Sequence, residues 1–297
     1  MSITTTDRHD TWGLEEGDSI VPGLVSLQLL GGGTRYEAYL GFDDRLHHIV
    51  VVKVLRPDLL RDDRALHGLR AEANILNGLN HPAIARLLRD GTDEQRPHIV
   101  LEHVEGPRLS TLIRRFGPLE MVQAAALAVE IASALHYLHG LGVVHLDVKP
   151  KNLIMGSPPR LIDLSIARRF DEAASLTIAV GTDAYMAPEQ AAPTRRRVGP
   201  AADVWGLGAT LFEALCGTPA FPQGSSATDA PPKERWPQLE RAPAPQPARL
   251  PQELSEVTAA ALAHEPSDRP TALEIAETVE PLLRRPRRLV LNTLKPR

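Results

Sequence analysis

Two short segments of this chain combine residue types that suit phosphoryl-group chemistry. They lie at residues 145–152 and 162–165, and their key polar residues are Asp147, Lys149, Asn152 and Asp163. A carboxylate can accept or orient a hydroxyl proton, and a nearby lysine can neutralise charge on a transferring phosphoryl group. Carboxylate and amide oxygens are also ligands that Mg²⁺ prefers. The two segments therefore predict a site that holds a divalent metal, a triphosphate and a hydroxyl nucleophile together.

Two features nearer the N-terminus could bind the phosphates. Gly31, Gly32 and Gly33 lie between two predicted strands, and glycine lets backbone N–H groups approach phosphate oxygens closely. Taken alone, a glycine run between strands is more often a plain hairpin turn. Lys53 lies within a β-branched strand, where a lysine is usually an edge or snorkelling residue. A phosphate-binding lysine would need a carboxylate to orient it, and Glu72, on the helix predicted next, is our candidate.

The composition is ordinary for a soluble globular protein and narrows its function. Hydrophobic residues make up 43% of the chain and charged residues 24%. The formal net charge of -4 argues against a general nucleic-acid binder. The single cysteine, Cys216, excludes an internal disulfide framework and fits a reducing compartment. The first residues lack a signal-peptide pattern and the apolar runs are short for a bilayer span, so we expect a cytoplasmic location.

The order of the predicted elements indicates an α+β fold with two parts. Strand patterns occur at 24–30, 36–40, 48–55, 84–88 and 98–102, with one helical pattern at 61–80. Helical patterns then dominate, at 119–139, 202–216, 255–263 and 272–283, and the proline-rich stretch 218–251 is predicted to be mainly loop. We therefore expect a flexible tail over 1–20 and a small antiparallel β-sheet with one helix over 21–104. A larger, mostly helical part over 105–283 and a basic tail over 284–297 complete the prediction.

These motifs resemble those of protein kinases. The two polar segments are similar to the catalytic loop H-R-D-x-x-x-x-N and the metal-binding D-F-G of that family. Ala187-Pro188-Glu189 resembles the end of a kinase activation segment, and the resemblance implies that Arg269 pairs with Glu189. The lysine two residues after Asp147 is typical of serine/threonine-specific members, and the match is closest to bacterial (Hanks-type), actinobacterial-like enzymes. The resemblance covers residues 24–283 and implies a two-lobed protein kinase-like fold, with the sheet in the N-lobe and the helices in the C-lobe.

The resemblance also implies cofactors and residue roles. ATP and Mg²⁺ would be bound, with Mn²⁺ as an alternative ion. Asp147 would be the catalytic base, Lys149 would neutralise phosphoryl charge, and Asn152 and Asp163 would hold the metal. Lys53, oriented by Glu72, would bind the α- and β-phosphates. The remaining nucleotide contacts would come from Gly31, Gly32, Gly33, Ala38, Leu101 as gatekeeper, the Glu102 and Val104 backbone, and Leu153.

Three residues depart from the kinase pattern. Tyr36 stands where the third glycine of the phosphate loop is expected, and we expect it to reshape the roof over the phosphates. Leu146 replaces the arginine that binds activation-segment phosphate in many kinases. Phosphorylation of that segment, at Thr177 for example, should therefore not be strictly required. Ser165 replaces a glycine, which should restrict the backbone and favour an Asp163 that faces the metal.

The predicted function is transfer of the γ-phosphoryl group of Mg-ATP to Ser/Thr hydroxyls of protein substrates. The alternative is a pseudokinase scaffold that binds nucleotide or a partner without transfer, and it is favoured by the three departures. A third interpretation, a small-molecule phosphotransferase, is disfavoured by the segment ending at Glu189. No nucleic-acid partner is expected, and only the basic tail could contact a membrane. The physiological substrate, the upstream signal and the oligomeric state stay open.

Overall fold

A computed structural model describes residues 10–193, 197–227 and 229–284. The predicted two-lobed α+β architecture is confirmed, with an antiparallel sheet in the first lobe and mainly helices in the second. Of the predicted tails, residues 1–9 and 285–297 lie outside the described residues, as do two of the three arginines at 195–197.

The N-lobe is one six-stranded antiparallel sheet with a helix packed on it. Its strands are β1 (Ser19–Val21), β2 (Leu24–Gly32), β3 (Tyr36–Asp43), β4 (His48–Leu55), β5 (Leu87–Gly91) and β6 (His98–Glu102). Their order in the sheet is β1-β2-β3-β4-β6-β5. Helix α1 (Asp63–Asn77) begins where the Asp62 carboxylate accepts a hydrogen bond from the amide of Ala65 at 2.8 Å. It turns Leu69, Ala73 and Leu76 towards the core, and this face is what brings Glu72 against the sheet.

The C-lobe is built around two apolar helices. It begins with α2 (Leu109–Phe116) and α3 (Met121–Gly140), which are followed by the short strands β7 (Val143–Val144), β8 (Leu153–Ile154), β9 (Arg160–Leu161) and β10 (Arg168–Arg169). The remaining helices are α4 (Phe170–Ala174), α5 (Pro188–Ala191), α6 (Pro200–Cys216), α7 (Pro232–Arg235), α8 (Gln252–Ala261) and α9 (Ala272–Arg284). Helix α6 buries almost every side chain, including Trp205 and Phe212, so it forms the rigid support beneath the loops that carry the polar motifs.

Helix α3 has an unusually apolar composition. Judged by length and composition alone, α3 is the one helix among the described residues that could cross a membrane. Half of the most apolar 18-residue stretch of this helix is buried within the protein, and the side chains of Leu127, Ile131 and Leu135 are fully buried. This pattern is that of a core helix in a globular domain.

Two expectations about the fold need correction, and one helix was missed. The described part of the predicted tail is not free: β1 pairs with β2, and the indole of Trp12 donates a hydrogen bond to the carbonyl of Leu55 at 2.8 Å. The strand predicted at 84–88 instead spans Leu87–Gly91, while Ile84 makes only an isolated bridge to Leu161. Helix α2 was not predicted, because its eight residues are few for a periodicity signal and no side chain caps its start.

Candidate active site

Lys53 lies at the centre of a charged cluster between the lobes. Strand β4 presents its ammonium to Glu72 of α1, with Nζ–Oε distances of 2.9 and 2.7 Å. The same Nζ donates to Asp163 Oδ1 at 3.0 Å, although the two residues are 110 positions apart in the chain. Burial acts to lower the pKa of Lys53, but the two carboxylates outweigh it and raise that pKa, so the lysine is charged. The site therefore contains the oriented cation that phosphate binding requires.

The charge on Asp163 is fixed by the same cluster. Burial would raise the pKa of this carboxyl, but Lys53 and the amide of Ser165 together hold it well below its usual range. Burial raises the pKa of Glu72, and the Lys53 ammonium opposes that shift. Asp163 has the left-handed backbone angle φ of 66°, whereas Ser165 does not have a positive φ. A side chain at 165 is thus accommodated without strain in this conformation.

Asp147 lies in the catalytic-loop segment and is bonded on both carboxylate oxygens. Lys149 Nζ donates to Oδ2 at 2.6 Å, and the Thr182 hydroxyl donates to Oδ1 at 2.7 Å. Lys149 also donates to the Thr182 oxygen at 2.5 Å, which joins the loop to the segment that follows it in the chain. The arrangement shows that a hydroxyl can reach Asp147 at hydrogen-bonding distance with a lysine beside it. That is the geometry needed to orient a hydroxyl nucleophile.

Asn152 and Asp163 fit a divalent cation. The amide nitrogen of Asn152 donates to the Asp147 carbonyl at 2.9 Å and to its Oδ2 at 3.0 Å, so the amide oxygen of Asn152 is left as an acceptor. Among the described residues, hydrogen bonds engage only one oxygen of Asp163. Both side chains line the same cavity, next to Lys53. Two oxygen ligands with open positions suit Mg²⁺, which usually completes its shell with water and substrate phosphates. No group of three His, Cys, Asp or Glu residues among the described ones offers a protein-only metal site.

An apolar cleft between the lobes adjoins this polar cluster. Its lining includes the predicted Ala38, Leu101, Glu102 and Val104. The amide of Glu102 is already used, since it donates to the Arg86 carbonyl at 2.9 Å. Other lining residues were not predicted, namely Leu30, Val51, Ala85, Ile154 and Ile162. They are unremarkable apolar strand residues in the sequence, and only the fold places them around one cavity.

Leu153 was wrongly predicted to contact the nucleotide. Its side chain is fully buried in the main hydrophobic core, whereas its neighbour Ile154 lines the cleft. Successive residues of a strand face opposite sides, so the two cannot both reach the cavity. A pair of adjacent apolar residues in the sequence does not indicate which one faces the ligand.

The glycine segment lies beside the charged cluster, and its contact with phosphates stays a prediction. Gly31, Gly32 and Gly33 line the cavity that also contains Lys53 and Asp163. Strand β2 continues through Gly32, which pairs with Glu37, so two of the three glycines are in the sheet instead of the turn. The segment is therefore both a hairpin and a bare-backbone surface that faces the metal and lysine residues.

Tyr36 lines the same cavity as the glycines, although most of the residue is buried. Its ring is 9% exposed and lies beneath the sheet, where the hydroxyl donates to the Ala65 carbonyl of α1 at 3.4 Å. The Lys53 ammonium lies 4.8 Å from the ring centroid, within cation–π range. The tyrosine at the expected glycine position therefore packs between Lys53 and α1 and forms part of the cavity wall together with the glycines.

Leu146 packs where an arginine was expected. The side chain is 3% exposed and belongs to an apolar cluster with Val144, Ala173, Ala187 and Trp205. Its backbone has φ of 66°, its amide donates to Asp203 Oδ1 at 2.7 Å, and its carbonyl accepts from Gln190 at 3.0 Å. Thus apolar contacts and backbone hydrogen bonds join the catalytic loop to the segment before α5.

Two buried polar contacts anchor these loops to the C-lobe. Asp203, near the start of α6, also accepts the amide of His145 at 2.8 Å and contacts His139 Nε2 at 2.9 Å. Glu189 and Arg269 form two N–H···O bonds at 2.6 and 2.9 Å, as the motifs predicted. The role of His139 as an anchor was missed, because a histidine on an apolar helix gives no such signal alone.

The chain is similar to known protein kinases. A family model described as the protein kinase domain matches residues 24–279. The chain is 37% identical over 202 residues to the serine/threonine-protein kinase PknB of Mycobacterium leprae, which covers 65% of this chain and 32% of that protein. It is 35% identical over 255 residues to PknB of Mycobacterium tuberculosis, covering 82% of this chain and 40% of the relative. A probable serine/threonine-protein kinase of Corynebacterium efficiens is 32% identical over 276 residues, covering 86% and 40% respectively. The chain thus matches no more than two fifths of the length of these relatives.

Proposed function

We propose that this chain, which belongs to the protein kinase domain family, transfers the γ-phosphoryl group of Mg-ATP to serine and threonine hydroxyls of proteins. The observation that carries the proposal is the contact of Lys53 with both Glu72 and Asp163 within 3.0 Å. This contact joins the two lobes through one buried cation, and it brings together the lysine–glutamate pair and the metal-binding aspartate that a protein kinase needs in place at once.

The chemistry follows from the neighbouring residues. Asp147 orients the acceptor hydroxyl and takes its proton, as its contact with the Thr182 hydroxyl illustrates. Lys149, 2.6 Å from that carboxylate, places positive charge where the transferring phosphoryl group gains negative charge. Mg²⁺, when held by Asn152 and Asp163, supplies further positive charge to the phosphate oxygens.

The apolar surroundings of Leu146 support activity without activation-segment phosphate. In kinases that need such a phosphate, an arginine before the catalytic aspartate binds it and orders the segment. Here the segment residues Ala173 and Ala187 belong to the same buried apolar cluster as Leu146, and Gln190 donates to the Leu146 carbonyl. The contacts that order the segment are therefore made by the unmodified chain.

The enzymatic proposal is tested by phosphoryl transfer with a matched pair of variants. Purified protein is incubated with Mg²⁺, labelled ATP and a generic protein substrate, beside Asp147→Asn and the exposed control Asp44→Asn. We expect the first substitution to abolish labelling and the second to leave it unchanged. Equal labelling by wild type and Asp147→Asn would contradict the enzymatic proposal and favour a nucleotide-binding scaffold. Label on small molecules but never on protein would favour a small-molecule phosphotransferase.

Independence from phosphorylation is tested separately. Protein treated with a phosphatase, and Thr177→Ala, should both retain turnover, because Thr177 is exposed and Leu146 offers no partner for a phosphate. An inert stripped enzyme that recovers when Thr177 is phosphorylated would refute this part of the proposal. Replacement of Mg²⁺ by Mn²⁺ in the same assay tests the choice of ion.

A cytoplasmic site of action is also part of the proposal. It is supported by the single cysteine, Cys216, which is only partly exposed and unpaired in the structure. Membrane contact through the basic residues 284–297 would be detected by sedimentation with anionic vesicles.

A further inference from the structure

Arg56, directly after β4, holds the turn between β2 and β3 that faces the phosphate side of the cleft. Its Nε donates to the Gly33 carbonyl at 2.8 Å, and its own amide donates to the Arg35 carbonyl at 3.0 Å. Its guanidinium also lies against the bare backbone of Gly32, where a Cβ would be 2.8 Å from Nη2. Arg56 therefore contacts three residues at the glycine turn, namely Gly32, Gly33 and Arg35, and does not itself line the cavity.

Glu37 fixes the guanidinium in this position. Its Oε1 accepts from Arg56 Nη1 at 3.0 Å, and the side chains of Arg56 and Glu37 are 14% and 2% exposed. The other carboxylate oxygen accepts the Tyr39 hydroxyl at 2.5 Å. Glu37 is itself the strand partner of Gly32, so both ends of this ion pair belong to the framework of the glycine turn.

The segment before β1 closes over the same ion pair. Arg56 Nη1 donates to the Asp10 carbonyl at 3.0 Å, and the Trp12 amide donates to Glu37 Oε2 at 3.3 Å. The Trp12 indole bonds the Leu55 carbonyl at 2.8 Å and lies 3.9 Å from the guanidinium of Arg96. Residues 10–12 thus bond to Arg56 and Glu37, the same two residues that contact the glycine turn.

We propose that Arg56 and Glu37 are positioning residues for the phosphate-binding turn, and that residues 10–12 dock on them to tighten Mg-ATP binding. Arg56 lines neither cavity of the cleft, so it acts on the nucleotide through the turn. A glycine turn that is free in solution must be ordered when phosphates bind, which weakens affinity. The bonds from Arg56 order it beforehand, and the docked segment holds Arg56. This inference rests on the proposed nucleotide site but concerns affinity, not transfer.

The test compares Arg56→Ala, Arg56→Lys and Trp12→Ala with a control, Arg89→Ala. Arg89 makes a similar buried ion pair with Asp43 at 3.1 Å in the same lobe, and the two side chains are 18% and 3% exposed. Calorimetric Kd for Mg-ATP is measured for each folded variant, together with kcat and KM for ATP. We expect Arg56→Ala to raise Kd and KM about tenfold and Trp12→Ala about threefold, with kcat changed by less than about twofold. Arg56→Lys should fall between, since an ammonium keeps the charge but not the planar fork.

The inference is overturned if Arg56→Ala and Arg56→Lys bind Mg-ATP as tightly as wild type, or if Arg89→Ala weakens binding equally at a matched loss of thermal stability. It is also overturned if wild type binds no Mg-ATP. Wild type that binds Mg-ATP without transferring phosphate would refute the proposed function alone, because the Kd comparison still decides the role of Arg56.

Discussion

Truncation of Leu146 to alanine tests how the catalytic loop is coupled to the segment that follows it. The leucine side chain is 3% exposed and packs in an apolar cluster with Ala173 and Ala187 of that segment. The substitution keeps the backbone hydrogen bonds to Asp203 and Gln190, and alanine tolerates φ of 66° no worse than leucine. The change therefore removes packing and little else.

The expected magnitude follows from the buried volume that is lost. Leu→Ala substitutions in cores lower the free energy of unfolding by roughly 2–5 kcal/mol, which corresponds to a fall in Tm of about 5–15 °C for a domain of this size. The cavity would lie between the catalytic loop and the activation segment, so part of the loss is local. A local loss of about 2 kcal/mol changes the ratio of ordered to disordered segment about thirtyfold. Because segments of this kind have low local stability, we expect kcat to fall at least about threefold.

The assay separates this local effect from general destabilisation. Leu254→Ala, in α8, deletes an equally buried leucine in the main core, remote from the activation segment. Both variants are assayed for kcat at 25 °C, well below their Tm, and their stabilities are compared by urea unfolding. We expect similar losses of stability but a lower kcat only for Leu146→Ala. If both variants keep the same kcat, packing at Leu146 does not order the segment and the reasoning is refuted.

Three further outcomes are expected. Arg269→Lys should lower the free energy of unfolding by about 2–4 kcal/mol, because lysine cannot make both bonds to the buried Glu189 carboxylate; a loss below about 1 kcal/mol in urea unfolding would argue against this. Burial lowers the pKa of His98, so below a pH of about 6.5 the unfolded chain binds a proton that the folded chain does not. The free energy of unfolding should therefore fall as pH drops from 6.5, by up to about 1.4 kcal/mol per pH unit, and His98→Gln should reduce that slope. An unchanged slope in urea unfolding at pH 5–7 would exclude His98 as the cause. Ser165→Gly should lower the free energy of unfolding by about 0.5–1 kcal/mol through the unfolded chain and speed hydrogen exchange at residues 163–167; equal exchange would show that Ser165 does not restrict the segment.

Local sequence patterns predicted most of the secondary structure, but not which residues meet. Helix α1 and strand β4 follow from periodicity, so Lys53 and Glu72 could be placed on their elements from sequence. The contact between Lys53 and Asp163 spans 110 positions and was not predicted, since the motifs paired Lys53 with Glu72 alone. No local rule relates residues so far apart, because tertiary packing decides their separation.

The errors have a common physical origin in tertiary contacts. Trp12 lies in a polar stretch that has no periodicity, yet the N-lobe buries part of its ring and satisfies its indole N–H. Leu153 and Ile154 are alike in sequence, and the pairing of β8 with β9 decides which one faces the cleft. Tyr36 occupies a motif position, but its ring packs against Lys53 and its hydroxyl bonds the Ala65 carbonyl of α1, contacts that no local pattern indicates.

Backbone strain is concentrated where the chemistry is proposed. Of the three described non-glycine residues with positive φ, His47 lies in the turn between β3 and β4, whereas Leu146 immediately precedes Asp147 and Asp163 is itself a metal-ligand candidate, the last two each with φ of 66°. Such a conformation costs on the order of 1 kcal/mol per residue and persists only when surrounding contacts over-determine it. For Leu146 these contacts are Asp203 and the apolar cluster, and for Asp163 they are Lys53 and the amide of Ser165. Because every one of these contacts is internal to the unmodified chain, the strained backbone is held before any ligand or phosphate arrives. The substitutions at 146 and 165 therefore alter how the site is held in place, while its charges stay those that the proposed phosphoryl transfer requires.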